Sequence, residues 1–139
     1  MAYEISWFQD GHIVYQYFYG NVSNEELQKT SQIVAEYVKH GTGMSPVHVI
    51  TEVSEVENYP LVMNGINQAV TKIGNPQLGW MTVINKNTFR RILGNAFSPL
   101  SGGRVRIFSD MDDAFEFLVA QDAVLKDLLP VRELSNQHA

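Results

Sequence analysis

A chain of 139 residues, 45% hydrophobic and 11% aromatic, carries enough apolar surface for one domain with a sizeable core. Ten Lys and Arg against fifteen Asp and Glu leave a formal net charge of −5, which repels a phosphate backbone and argues against nucleic acid as a partner. The absence of cysteine excludes disulfides, thiolate metal sites and cysteine nucleophiles. The start, "MAYEISWFQDGH", lacks the cationic-then-apolar build of a secretory signal, and no apolar stretch is long enough to span a bilayer, so the expected location is cytoplasmic.

Taken in chain order, "YEISWFQ" and "HIVYQYFYG" are rich in β-branched and aromatic residues and are joined by Asp10-Gly11, a pair suited to the positive φ angles of a tight hairpin. In "SNEELQKTSQIVAEYVKHG", Ser23 and Glu26 fit a capping box, and Leu27, Thr30, Val34, Tyr37 and Val38 fall on one helical stripe. "PVHVITEV" is a strand apolar on both sides, which predicts cover on both faces of its sheet. "YPLVMNGINQAVTKIGNP" places Val62, Ile66, Ala69, Val70 and Ile73 at helical spacing, with Pro60 near the start and Gly74-Asn75-Pro76 at the stop.

"LGWMTVINK" is a further apolar strand, and "NTFRRILGNAFSP" a third amphipathic helix carrying Phe89, Ile92, Leu93, Ala96 and Phe97. "GRVRIFS" is the last strand and "DMDDAFEFLVAQ" the last substantial helix. The order β-β-α-β-α-β-α-β-α predicts an α/β fold with a mostly parallel five-stranded sheet, the first strand antiparallel through its hairpin and helices packed against the sheet. One domain covers residues 1–122, and 123–139 form a short C-terminal helix and a frayed tail.

Asp110, Asp112 and Asp113 crowd the start of the last helix, where Ser109 stands at the N-cap position and first-turn carboxylates face the positive end of the helix dipole. Helix initiation accounts for all three without a metal. Histidines 12, 40, 48 and 138 show no ligand spacing, and His48, inside a strand, reads as a buried histidine satisfied by a hydrogen bond. No nucleophile elbow is present, and no motif requires a cofactor. Tyr15, Tyr17 and Tyr19 share one face of the second strand, which, if it lies at a sheet edge, offers tyrosines to a second copy or an apolar ligand. Arg90 and Arg91, with Arg104 and Arg106, form a candidate anion site.

The opening "EISWFQDGHIVYQYFYGNVSNEEL", the segment "VHVITEVSEV" and the close "GRVRIFSDMDDAFEFL" resemble the SpoIIAA-like superfamily that includes STAS domains and is associated with the Sec14-like fold. That resemblance implies a β/α superhelix and non-enzymatic regulatory or binding work. Phosphorylatable members carry Asp-Ser-Ser-Gly at the start of the helix after the third strand. Glu52 and Ser54 match the approach to it, but the Asp-Ser position falls near Tyr59-Pro60-Leu61, so the resemblance is to a branch lacking the phosphorylatable pair.

The leading expectation is therefore a non-catalytic STAS-like regulatory or protein-binding module, self-associating as a homodimer or holding another protein. Its candidate binding residues are Ser54, Asn58 and Tyr59 on a loop from Val53 to Tyr59, Glu52 just before it, and Arg90 and Arg91 on the third helix. A carrier of a small apolar or lipid-like ligand, suggested by the aromatics and methionines, is the alternative, and an enzyme without a recognised constellation is the third.

Overall fold

The computed structural model describes residues 2–43, 45–73, 76–87 and 104–128. Strands β1 (Tyr3–Gln9) and β2 (Ile13–Gly20) form the opening hairpin. Its turn is closed by the His12 N–H donating to the Gln9 carbonyl at 2.9 Å. Gly11 alone takes a positive φ there, 76°, while Asp10 does not, so the turn needs one left-handed position where the Asp-Gly pair suggests two. The register slips between Trp7 and Gln9, a bulge that leaves Trp7 on one sheet face and Phe8 on the other.

Helix α1 (Asn24–Lys39) begins at the expected capping box. Ser23 accepts from the Glu26 N–H, and the Glu26 carboxylate accepts from the Ser23 N–H. The same carboxylate accepts from the Ala2 N–H at 2.9 Å, tying the first strand to the helix, and these two backbone donors hold the Glu26 carboxyl below its usual range. Leu27, Thr30, Val34 and Val38 are its buried residues, and Tyr37, at the margin, meets Trp7 edge-on.

Strand β3 (Val47–Val56) and helix α2 (Tyr59–Ile73) follow, then β4 (Leu78–Ile84), β5 (Val105–Phe108), α3 (Met111–Gln121) and α4 (Ala123–Leu128). The sheet order is β1-β2-β3-β4-β5, antiparallel at the first pairing and parallel at the other three. Two expectations change. The second strand is paired on both sides, so the sheet edge is β1 and not the tyrosine-bearing β2. The presumed loop from Val53 is strand as far as Val56, which leaves Glu57 and Asn58 alone between β3 and α2. The third amphipathic helix, with Arg90 and Arg91, lies outside the described residues.

Side-chain alternation divides the core by sheet face. Val14, Phe18, Val49, Val53, Met81, Val83, Val105 and Ile107 pack with α1 and α2 on one side. That is where successive right-handed crossovers between neighbouring parallel strands must put both helices. Ile13, Ile50 and Ile84 pack on the other side with Ala114, Phe115 and Leu118 of α3 and Leu125 of α4. The apolar character of β3 on both faces is thus explained by a three-layer arrangement. Its buried hydroxyls are satisfied internally: Thr51 donates to Met81 Sδ, and Thr82 donates to the Val49 carbonyl.

The acid-rich stretch initiates α3 one residue later than expected. Asp110, not Ser109, is the N-cap, accepting from the Asp113 N–H at 2.9 Å, while Ser109 Oγ donates to the Asp113 carboxylate. Asp110 has the extended backbone of a cap residue, and a carboxylate there also meets the helix dipole.

Candidate binding site

Among the described residues α3 packs chiefly over β4 and β5, which leaves its sheet face partly open toward the C-terminal ends of these strands. In open α/β sheets that end is where ligands are received. A hollow of about 600 Å3 lies there, between Phe8, Tyr15, Glu52 and Ile84 of the sheet, Lys86 beyond β4, and Asp110, Met111 and Asp112 at the start of α3. Phe8 is held from behind by Phe115, ring centroids 4.7 Å apart. The hollow has an apolar floor and a charged rim.

Beside it, the strand register sets out two polar rows. Glu4 of β1 pairs with Tyr17 of β2, and Tyr17 pairs with Glu52 of β3; two residues on, Tyr19 pairs with Glu55. The Tyr17 and Tyr19 rings lie 5.3 Å apart at 40°. Glu4 and Glu55 are exposed, and Tyr15, Tyr17, Tyr19 and Glu52 are half-buried. Loss of water contact, then the Glu52 carboxylate, the Tyr17 phenol and Glu4, raise the Tyr15 hydroxyl above its ordinary pKa of 10.0. The same desolvation, followed by Glu55, Glu52, Glu4 and Tyr19, raises Tyr17. Both phenols are therefore neutral hydrogen-bonding groups at physiological pH.

The sequence-predicted site residues separate. Glu52 lines the hollow and accepts from the Ser54 N–H at 2.8 Å, and Ser54 Oγ accepts from the Lys86 N–H, which joins the ends of β3 and β4. Asn58 is committed elsewhere. Its side chain accepts from the Val22 N–H at 2.9 Å and donates to the Val22 carbonyl at 2.7 Å, bracketing the segment before α1. Tyr59 is 3% exposed, within the α1–α2 core, and so is not presented on a loop. Of the arginines, Arg104 donates to the Leu78 carbonyl at 2.6 Å, and Arg106 stacks over Trp80, 5.0 Å from the ring centroid. Phe8, and two residues not singled out from the sequence, Lys86 and Glu4, complete the surface. The alternation in "YEISWFQ" was the available signal for Glu4 and Phe8.

No family model matches the sequence, and no curated protein matches it. Solved structures do match. An uncharacterised protein of the DUF3478 family with a SpoIIAA-like fold, from Shewanella loihica PV-4, superposes with a TM-score of 0.60 over 84% of this chain and 92% of that one, at 14% identity. The anti-sigma factor antagonist SpoIIAA in its unphosphorylated form superposes with a TM-score of 0.55 over 86% and 97%, at 11% identity.

The fold is SpoIIAA-like. In this SpoIIAA-like chain the helix after β3 begins at Tyr59, whose phenol is the one hydroxyl of the first turn and is buried. Leu61, on the same turn, is 36% exposed and has none to offer. Among the described residues no helix is long and apolar enough to cross a membrane.

Proposed function

We propose that this chain is a non-catalytic regulatory module of the STAS type, acting by binding a protein partner on the partly open sheet face beside α3. The observation that carries this reading is the set of half-buried tyrosines on one face of β2, with Tyr15 lining the hollow and the Tyr17 and Tyr19 rings in contact beside it. Tyrosine supplies a large rigid contact area with a polar tip and loses little rotamer freedom, which is why it is enriched at interfaces. The SpoIIAA-like fold supports a regulatory role at the level of architecture, since one structural neighbour is by name an anti-sigma factor antagonist.

The alternative of an enclosed apolar ligand finds less support. The space bounded by Gln16, Phe18, Val34, Ile66 and Met81, beneath α1 and α2, measures about 10 Å3, room for about one water molecule.

A photo-crosslinking residue placed at Tyr17, with the same residue at exposed Gln28 of α1 as control, tests the reading in cells. A discrete adduct from position 17, absent from position 28, is the expected result, and an adduct with a second copy identifies self-association. Equal adducts from both positions, or none from 17, remove the proposal.

A further inference from the structure

The two polar rows place three carboxylates, Glu4, Glu52 and Glu55, around Tyr17 and Tyr19 on one surface. Cross-strand neighbours in sheets are stabilising when charges are opposite, and like charges set close together cost energy. No cation among the described residues is paired with them. Among the described residues the ion pairs join Glu36 to Lys39 and His40, and Asp122 to His48, and none engages Glu4, Glu52 or Glu55. Lys86, just beyond β4, lines the adjoining hollow together with Glu52 but forms no ion pair with it. Elsewhere on the molecule acids are used locally, as at the Glu26 capping box and the Asp110 cap, and Glu52 accepts the Ser54 N–H, but no such local bond accounts for Glu4 and Glu55 beside it.

Tyrosine rings add to the same field. Their faces are negative, and a guanidinium or ammonium within about 6 Å of a ring centroid is attracted to them. Moreover, the rows at Tyr17 and Tyr19 are two residues apart on β2, about 7 Å, which is also the spacing of same-side residues in an extended peptide. From this charge and spacing complementarity we infer that the partner presents a basic, extended segment, with Arg or Lys at alternate positions set between Glu4 and Glu52 and beside Glu55, over the Tyr17–Tyr19 pair. The inference rests on the protein-binding reading above and names the chemistry of that partner. The phenols contribute as neutral acceptors and ring faces, leaving the three carboxylates as the charges that a partner must answer.

The test is a titration of 15N-labelled full chain with the peptide acetyl-Arg-Gly-Arg-Gly-Arg-amide and, separately, with its glutamate counterpart. The arginine peptide is expected to shift the amides of Tyr15 to Tyr19 and Glu52 to Glu55, with affinity falling as salt is raised. The glutamate peptide is expected to shift none of them. Glu4→Gln and Glu52→Gln should each weaken the arginine peptide about two- to fivefold, the range of an exposed ion pair. Glutamine at 52 still accepts the Ser54 N–H, so the fold is kept. Glu25→Gln, on α1 at the opposite sheet face, should change nothing. Shifts spread over all acidic surfaces and indifferent to Glu4→Gln and Glu52→Gln would show mere attraction to a chain of negative net charge and overturn the inference. An adduct from position 17 that persists undiminished in those two variants discards the basic partner while keeping the binding module. Absence of both adduct and peptide binding removes both.

Discussion

His48 Nε2 lies 2.9 Å from the Asp122 carboxylate, a buried contact that fastens the junction of α3 and α4 to the middle of the sheet across 74 positions of sequence. On the other side of the ring, the Trp80 N–H donates to His48 Nδ1 at 3.0 Å. A backbone N–H can only donate, so Nδ1 must be bare, Nε2 carries the proton that Asp122 accepts, and the imidazole is neutral. Burial sets His48 below its ordinary pKa of 6.5 against the upward pull of Asp122. Asp122 is itself raised by burial but drawn lower overall by the bonds from His48, the Val124 N–H and Ser45. Although serine, histidine and aspartate meet here, both ring nitrogens are occupied, so the cluster works as a structural fastening.

The first prediction is a pH dependence with a definite sign. His48 titrates near 6.5 when unfolded and lower when folded, so its contribution to stability is complete above about pH 6.5 and is lost as pH falls through the folded value. Asp122, lowered from 3.8, withdraws its contribution in a second and more acidic window. Urea midpoints measured from neutral pH downward should fall more steeply below about pH 6.5 in the native chain than in His48→Gln. Identical slopes would show that the imidazole does not carry the effect.

Removing the partner is the second. Asp122→Ala leaves the buried His48 Nε2–H without an acceptor and the Val124 N–H without its cap, at an expected cost of about 1–3 kcal/mol at neutral pH by denaturant titration. A loss below a few tenths of that range would place the bond among the incidental ones.

Gly79 is the third. A Cβ there would stand 2.6 Å from His48 Cε1 and 3.1 Å from Pro46 Cβ. The ring cannot yield, since Trp80 and Asp122 hold it from both sides. Gly79→Ala should therefore destabilise by about 1–3 kcal/mol, the ordinary penalty of overpacking, and shift the His48 ring resonances in an NMR spectrum. Unmoved resonances would mean that the backbone relaxes instead.

The fourth concerns Asn58. Its amide completes two hydrogen bonds with the backbone of Val22, so Asn58→Ala should cost about 1–3 kcal/mol. Asn58→Asp keeps the acceptor but turns a second oxygen toward the Val22 carbonyl, and should be no better tolerated. Thermal unfolding of the two variants separates this bracket from a binding role, because only a binding role would leave stability unchanged.

Gln16 supplies the last. Its Nε2 donates to Thr51 at 2.8 Å, but its Oε1 is buried beside the small void under α1 and α2 with no acceptor role filled among the described residues. Gln16→Met removes that oxygen at similar volume and should stabilise by up to about 1 kcal/mol. Destabilisation beyond about 2 kcal/mol would point to a water held in the void by Gln16.

Much of the scaffold was legible because its signals are local. The Ser23–Glu26 capping box, the stripe through Leu27, Val34 and Val38, and the two-sided apolar run of β3 each state their structure within a few residues. The candidate surface was legible in part: alternation put Tyr15, Tyr17 and Tyr19 together and, read one strand earlier, puts Glu4 and Phe8 with them. Element ends were less so. Val56 continues β3 because it returns to the α1–α2 core beyond the point where polar residues suggested a loop.

What the amino-acid sequence by itself determined was the alternation of strand and helix, the hairpin, the capping box of α1 and the absence of any sulfur chemistry of cysteine, nearly all consequences of periods and turns spanning a dozen residues or fewer. Tertiary structure alone decided that β2 is interior, that Asn58 and Tyr59 serve the core, that Asp122 is the partner of His48, and that Glu4 and Glu52 face each other across Tyr17. The reason is that strand order and register are chosen by burial of whole faces, which brings together residues whose separation in sequence carries no trace of their contact.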